Sequence, residues 1–249
     1  MLLQLTAVFG LFLPLLGGQT VHVTIEELDD DSAQQYINSY DHVLAIFHVD
    51  NCDDCVESME SLHGIAESII TPGLKMIKLM NSQLAEIYGI EKYPQLLYFR
   101  DSIPILFHAA DKMKGTEAAM WLEENKEVSS QILDDTNFEH LTQAATGATT
   151  GDWYIMFYQT ECRTLLATWE TVSARMKYKI NVALVNTESS TTIRDRFDID
   201  ICPQFMYFRL GKMYQYLGQM HSVRALMSFT EVGYKNAAGK KVPQPPTPL

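Results

Sequence analysis

The sequence predicts an α/β protein assembled from two copies of one unit, and three observations predict it. First, Tyr88–Arg100 is matched by Phe197–Arg209, and both segments contain Pro-Gln-x-x-Tyr-Phe-Arg. Second, the apolar, aromatic run Val43–His48 has a counterpart in Trp153–Tyr158. Third, between these anchors each copy alternates strand-like apolar runs with helical segments, the pattern of an α/β layer structure.

The elements follow in the same order in both copies: a polar segment of helical character, a buried strand, then a cysteine-bearing turn that enters a helix. In the first copy the buried strand is Val43–His48 and the later elements are Leu74–Met80, Ser82–Tyr88, Gln95–Phe99 and Ile103–Phe107, closing with a helix at Thr116–Asn125. In the second, Trp153–Tyr158 is followed by Val182–Asn186, Thr191–Phe197, Gln204–Phe208 and Met213–Leu217, closing with Val223–Val232. Proline leads the fourth strand of each copy, where its missing N–H does no harm. The boundary falls near Val128–Asp135, where polar residues precede a new start at Asn137–Leu141. The expected units are residues 19–130 and 131–235.

Composition narrows the function. The chain has 249 residues, 47% hydrophobic, enough for one or two ordinary cores. Its 31 acidic and 19 basic side chains give a net charge of −12, which lacks the electrostatic footprint of a nucleic-acid binder. Residues Leu2–Leu16 form an apolar run broken only by Gln4, Thr6, Gly10 and Pro14 and ending at Gly17-Gly18. It is shorter than the roughly 20 residues of a spanning helix and reads as a signal peptide over residues 1–18, with a buried N-terminal helix as the alternative. A secretory route leads to an oxidising compartment, where disulfides persist. No later stretch is long and apolar enough to span a bilayer, so a membrane anchor is not expected within this chain. Residues 236–249 read as an extended proline-rich spacer without a KDEL-like address.

The cysteines carry the chemistry. Phe47-His48-Val49-Asp50-Asn51-Cys52-Asp53-Asp54-Cys55 runs from a strand through Cys-x-x-Cys into a helix start, and Tyr93-Pro94 follows at loop distance. This arrangement resembles the active site of the thioredoxin and protein disulfide isomerase superfamily. In the second copy, Cys162-Arg163-Thr164-Leu165-Leu166-Ala167-Thr168-Trp169-Glu170 is similar to the flank that follows that family's second cysteine. The resemblance covers about residues 20–235 and implies two tandem thioredoxin-like domains, each a central mixed sheet flanked by helices. It further implies thiol–disulfide exchange on thiol- or disulfide-containing client proteins in the endoplasmic reticulum lumen, secretion being the alternative. No cofactor is expected.

Physical chemistry supports these roles. A cysteine at a helix N-terminus meets the positive end of the macrodipole and unpaired N–H groups, which favour the nucleophilic thiolate. A cysteine three residues on can resolve a mixed disulfide. Cys52 is therefore the expected attacker and Cys55 the resolver, with Tyr93 and a cis Pro94 shaping the substrate site. Asp53 and Asp54 oppose the helix effect and raise the expected thiolate pKa by on the order of one unit, making the pair a weaker oxidant. Ile46 stands where family members carry a buried acid, which leaves Lys78 without its expected partner. The alternative for this site is a static disulfide.

The second copy departs further. Its turn from Phe157 to Cys162 is three residues shorter than that from Phe47 to Cys55. Cys162 takes the resolving position, and no nucleophile is present. Since the residue before the cis-proline faces the active-site turn in this fold, the resemblance implies a Cys162–Cys202 disulfide; two buried free thiols are the alternative.

Other signals are set aside. The seven histidines show no ligand spacing with the cysteines, so no metal site is expected. His48 is read as a packing residue. The run Glu26–Asp31 is read as a solvated helix start. A distant resemblance to acidic, thioredoxin-like calsequestrins implies calcium association as the alternative, although the run lacks a twelve-residue ligand loop. The competing function is a non-enzymatic, chaperone-like or calcium-associated scaffold with structural disulfides.

Overall fold

The computed structural model describes residues 25–66, 73–108, 113–147 and 150–246; the run read as a signal peptide, residues 1–18, lies outside them. The first unit contains β1 (Ile25–Glu27), α1 (Asp30–Ser39), β2 (His42–His48), α2 (Asp53–Ala66), β3 (Lys75–Met80), α3 (Leu84–Ile87), β4 (Gln95–Arg100), β5 (Ile103–Leu106) and α4 (Gly115–Glu124). The second contains β6 (Gln131–Leu133), α5 (Phe138–Thr142), β7 (Trp153–Tyr158), a 3-10 turn (Thr160–Leu165), α6 (Leu166–Met176), β8 (Asn181–Asn186), α7 (Thr191–Arg196), β9 (Gln204–Arg209), β10 (Lys212–Gln215), α8 (Val223–Glu231) and β11 (Lys240–Lys241).

The two sheets are mixed and share one strand order. The first runs β1-β3-β2-β4-β5 and the second β6-β8-β7-β9-β10, with β11 added at the edge. In each, the first three strands are parallel and the next two antiparallel. The central strands β2 and β7 are apolar or aromatic apart from His42 and His48 at the ends of β2, because both of their faces are covered. Val43, Ala45 and Phe47 face a core shared with Ala33 and Ile37 of α1, while Leu44 and Ile46 pack with Leu62 of α2 and Leu122 of α4. In the second sheet Ile155 and Phe157 meet Phe138 and Ile193, while Tyr154 and Met156 meet Trp169, Val172 and Phe229. Burying each such side chain contributes roughly 1.5–3 kcal/mol.

Local signals place the ends of the elements. Asp29 caps α1 by accepting the Ser32 N–H at 2.8 Å, and Asp30 and Asp31 occupy the first turn, where the macrodipole favours acid. Asp101 and Ser102 both have positive φ, at 48° and 64°, which closes the β4–β5 hairpin with the twist that such pairs prefer. The C-terminal segment differs from the spacer expected from sequence. Lys240–Lys241 pairs with β10, Val242 is buried in the core, and the Arg196 guanidinium donates to the Pro243 carbonyl at 2.7 Å. Residues through Pro243 thus belong to the second unit, because one buried valine and a charged anchor outweigh the prolines around them.

The two units are joined by a buried ion pair. Helix α6 packs on the edge strand β5, and there Arg100, the last residue of the first repeat motif, reaches Glu170 at 2.5 Å. Both side chains are essentially inaccessible, at 1% and 0% exposure. Glu170 also accepts the backbone N–H of Ser129 and of Ser130, so its charge is met from three sides. The repeat explains why Arg100 turns outward from its own unit. Its counterpart Arg209 pairs with Asp152, which also accepts the Tyr207 hydroxyl at 2.7 Å. In the first unit the corresponding Tyr98 hydroxyl meets His42 Nδ1 instead, and no carboxylate is there for Arg100. A second contact lies at Gly89, whose φ is +67° and where an added Cβ would approach the Thr164 carbonyl oxygen to 2.8 Å.

Removing one partner of a buried pair leaves an uncompensated charge. Glu170→Ala is expected to lower the unfolding free energy by about 3 kcal/mol or more in urea. Glu123→Ala, in the exposed Lys126–Glu123 pair, should cost under about 1 kcal/mol.

Candidate functional site

The site is built at the C-terminal end of β2. The strand delivers Phe47 and His48 into a turn in which Asn51 has a positive φ of 55°. The turn is tied to the β3–α3 loop: Asn81 Nδ2 donates to Asp50 at 2.7 Å, and the Asn81 N–H donates to the His48 carbonyl at 2.9 Å. Cys52 then serves as the residue before the helix, its carbonyl accepting from the N–H groups of Cys55 and Val56 at 3.1 and 3.2 Å.

Cys52 and Cys55 are disulfide-bonded, with Cα atoms 5.2 Å apart. Their environments differ. Cys52 is half-buried and Cys55 only 1% exposed, so an incoming thiol meets Cys52 first. The Cys55 N–H, shared with the Cys52 carbonyl, also donates to the Cys52 sulfur at 3.1 Å, a helix-start contact that favours negative charge on that atom. Asp53 and Asp54 lie exposed in the first turn of α2.

Tyr93-Pro94 is a cis peptide. A concavity of roughly 490 Å³ runs beside the first turns of α2 and brings Asp54, Glu57 and Ser58 together with Lys92, Tyr93 and Pro94. Gln95 secures one end of this loop, its Nε2 donating to the carbonyls of Leu96 and Phe107 at 2.9 and 2.8 Å. The residues singled out from sequence at this site, Cys52, Cys55, Tyr93 and Pro94, therefore lie at one end of one sheet.

Lys78 is not without a partner. It lies across from Ile46 in register and pairs with Glu27 of β1 at 2.7 Å, an ion pair that holds the Glu27 carboxyl below the usual carboxylate range. The sequence reading missed this because Glu27 sits in the acidic run taken for a helix start. That run has separate uses: Glu26 accepts the Tyr36 hydroxyl, Asp29 caps α1, and Asp30 accepts the Ser82 hydroxyl and the Gln83 N–H. Among the described residues, no group of three or more His, Cys, Asp or Glu side chains is placed to hold a metal ion.

The second site is differently made. Cys162 lies buried in the 3-10 turn and is disulfide-bonded to Cys202, with Cα atoms 6.1 Å apart; Cys202-Pro203 is cis. The bond joins the turn directly to the proline loop, so the second unit holds no Cys-x-x-Cys pair.

Comparison with known proteins adds to this geometry. Residues 129–231 match the thioredoxin family model. The match falls on the unit that lacks Cys-x-x-Cys. The chain is similar to a thioredoxin domain-containing protein of Theileria parva, 42% identical over 117 residues, or 46% of this chain. It spans 53% of that relative's length. Among solved structures it is similar to form I of ERdj5, with a TM-score of 0.47 and 17% identity over 84% of this chain and 28% of that one. Another is the zinc-bound form of human ERp44, with a TM-score of 0.40 and 17% identity over 84% of this chain and 59% of that one. Among the described residues, no helix is long and apolar enough to cross a membrane.

His48 is the site residue that sequence reasoning set aside. It is 7% exposed, and its Nε2 is buried with no hydrogen-bond partner among the described residues. Burial, reinforced by the Lys78 charge, holds the imidazole below its ordinary value against the smaller pull of Glu27 and Asp50. As pH falls through about 6.5, the unfolded histidine takes up a proton while the folded one stays neutral, so stability falls. The depressed carboxylates Glu27, Asp29 and Asp134 act only at lower pH, because their contribution is complete above the carboxylate range. Thermal melting between pH 7.5 and 5.5 is expected to show decreasing stability, with a slope bounded by about 1.4 kcal/mol per pH unit for one proton. His48→Phe should flatten that slope.

Proposed function

We propose that this chain is a thiol–disulfide exchange protein of the secretory pathway, built from two tandem thioredoxin-like domains at residues 19–130 and 131–235, the second packed through Pro243. Client cysteines react at Cys52, Cys55 releases them, and Tyr93 and Pro94 shape the groove that receives the client chain. The observation that carries this reading is the asymmetry of the cysteine pair at the start of α2. The accessible sulfur sits at the helix terminus and its resolving partner is buried one turn on.

The second unit binds or orients clients without exchanging electrons, its Cys162–Cys202 bond fixing the shape of the turn and proline loop. The endoplasmic reticulum lumen is the compartment this chemistry suits, and secretion is the alternative. The signal-peptide reading of residues 1–18 supports either route. Acidic residues beside Cys52 favour the disulfide over the thiolate, which supports exchange poised toward reduction or isomerisation rather than strong oxidation.

Insulin reduction in a thiol buffer tests the proposal. Turnover by the full chain should disappear in Cys52→Ser and largely survive joint replacement of Cys162 and Cys202 by serine. Absence of turnover in the unsubstituted chain would instead favour a chaperone-like or calcium-associated scaffold with two structural disulfides.

A further inference from the structure

The Cys52–Cys55 pair lies over one face of the first sheet, and that face can be read residue by residue. Side chains alternate along a strand, so His48 points to the same side as Leu44 and Ile46. Those two pack with Met59 and Leu62 of α2, which places this face beneath the helix whose first turn carries Cys55. His48 is the last residue of β2, four positions before Cys52, and pairs in register with Met80. The same end of the sheet brings up Lys78, opposite Ile46, and Glu27, opposite Lys78.

Cys55 has a proton problem that this face must solve. A thiol that is 1% exposed cannot hand its proton readily to bulk water, and burial disfavours its anion. Ile46, beneath the helix, has no group to accept it. Lys78 is an ammonium ion held by Glu27 and has no free lone pair, while Glu27 is half-exposed and committed to Lys78. Asp50 is bound to Asn81 at the turn, and Asp53, Asp54 and Glu57 of α2 are exposed. What remains is an imidazole whose Nε2 is buried and unpartnered. A buried polar atom left without a partner is costly, and a place in the reaction accounts for it.

We infer that His48 Nε2 accepts the Cys55 proton when Cys55 resolves the mixed disulfide on Cys52. This rests on the exchange reading above and names a further residue of the same site. With a disulfide as oxidant, the Cys52 thiolate first attacks one of its sulfurs and expels the other as a thiolate. Cys55 then transfers its thiol proton to His48 Nε2 as its sulfur bonds to the Cys52 sulfur. The bond from Cys52 to the bound sulfur breaks, and the electron pair leaves on that sulfur, which is protonated from water. His48 returns its proton to solvent. The dithiol has lost two electrons and the attacked disulfide has gained them. Burial and Lys78 keep the imidazole neutral, with a lone pair to accept the proton, and the opposing pull of Glu27 and Asp50 offsets part of the cost of the transient cation.

Oxidised glutathione serves as the probe, since its reaction requires no protein client. The reduced full chain is mixed with excess glutathione disulfide, quenched with acid at intervals and resolved by mass into dithiol, Cys52–glutathione adduct and closed disulfide. In His48→Phe and His48→Gln, adduct formation should match the parent, while closure at pH 7 should slow about tenfold or more, as for loss of a general base. The adduct should therefore accumulate. At pH 9, where about a hundredfold more hydroxide than at pH 7 competes for the thiol proton, the difference should shrink to about twofold. The ratio of the two rates is read within each sample, so incomplete folding changes amplitudes and not the outcome. Closure within twofold of the parent at pH 7, or a slowing that persists at pH 9, overturns the assignment. A parent chain that never forms the adduct overturns the exchange reading, and the His48 assignment with it.

Discussion

The architecture depends on the buried contact between Arg100 and Glu170. Two desolvated charges are expensive, and here they are met in part by further partners: Glu170 takes two backbone N–H groups and Arg100 reaches the Ile103 carbonyl, while the Arg100 Nε has no partner among the described residues. The contact turns the connecting segment at Ser129 and Ser130 from a linker into part of the interface. It also covers β5, an edge strand that would otherwise expose unpaired backbone groups. A second contact, at Gly89 and Thr164, joins the segment leading to the Tyr93-Pro94 loop with the shortened turn that holds Cys162.

The two units share a strand order and a sequence motif but use them differently. The arginine that ends each repeat motif is used internally in the second unit, through Asp152, and externally in the first, where His42 replaces the acid. The cysteines differ in the same sense. One unit has a partly exposed cysteine at a helix start; the other has a turn three residues shorter and links Cys162 to the proline loop.

Much of the fold was legible in the sequence because its signals are local. Apolar runs such as Val43–Phe47, covered on both faces, and strands led by Pro94 and Pro203 fall within a residue or two of their expected bounds. The short edge strands β1, β6 and β11 were not legible, since two or three residues carry no alternation and Lys240–Lys241 reads as charge. The cysteine site was legible from spacing. Its surroundings were not, because the partner of Lys78 lies on a distant strand and Glu27 looks like part of a helix cap. Burial of His48 likewise depends on α2 folding over the strand. The pairing of Arg100 with Glu170 was not legible either, because the two residues lie in different units and meet only when those pack.

The central claim is that the bond between Cys52 and Cys55 is a working bond rather than a structural one. Helix-start donors favour the Cys52 anion, exposed acids oppose it, and partial exposure of the sulfur leaves it reachable. The most direct test is the reduction potential of this pair in the full chain, read by alkylation and mass analysis across a series of glutathione buffers. The account predicts a potential above about −300 mV, within reach of exchange with a glutathione pool. A value well below that, with Cys52 and Cys55 remaining bonded through the series, would contradict it.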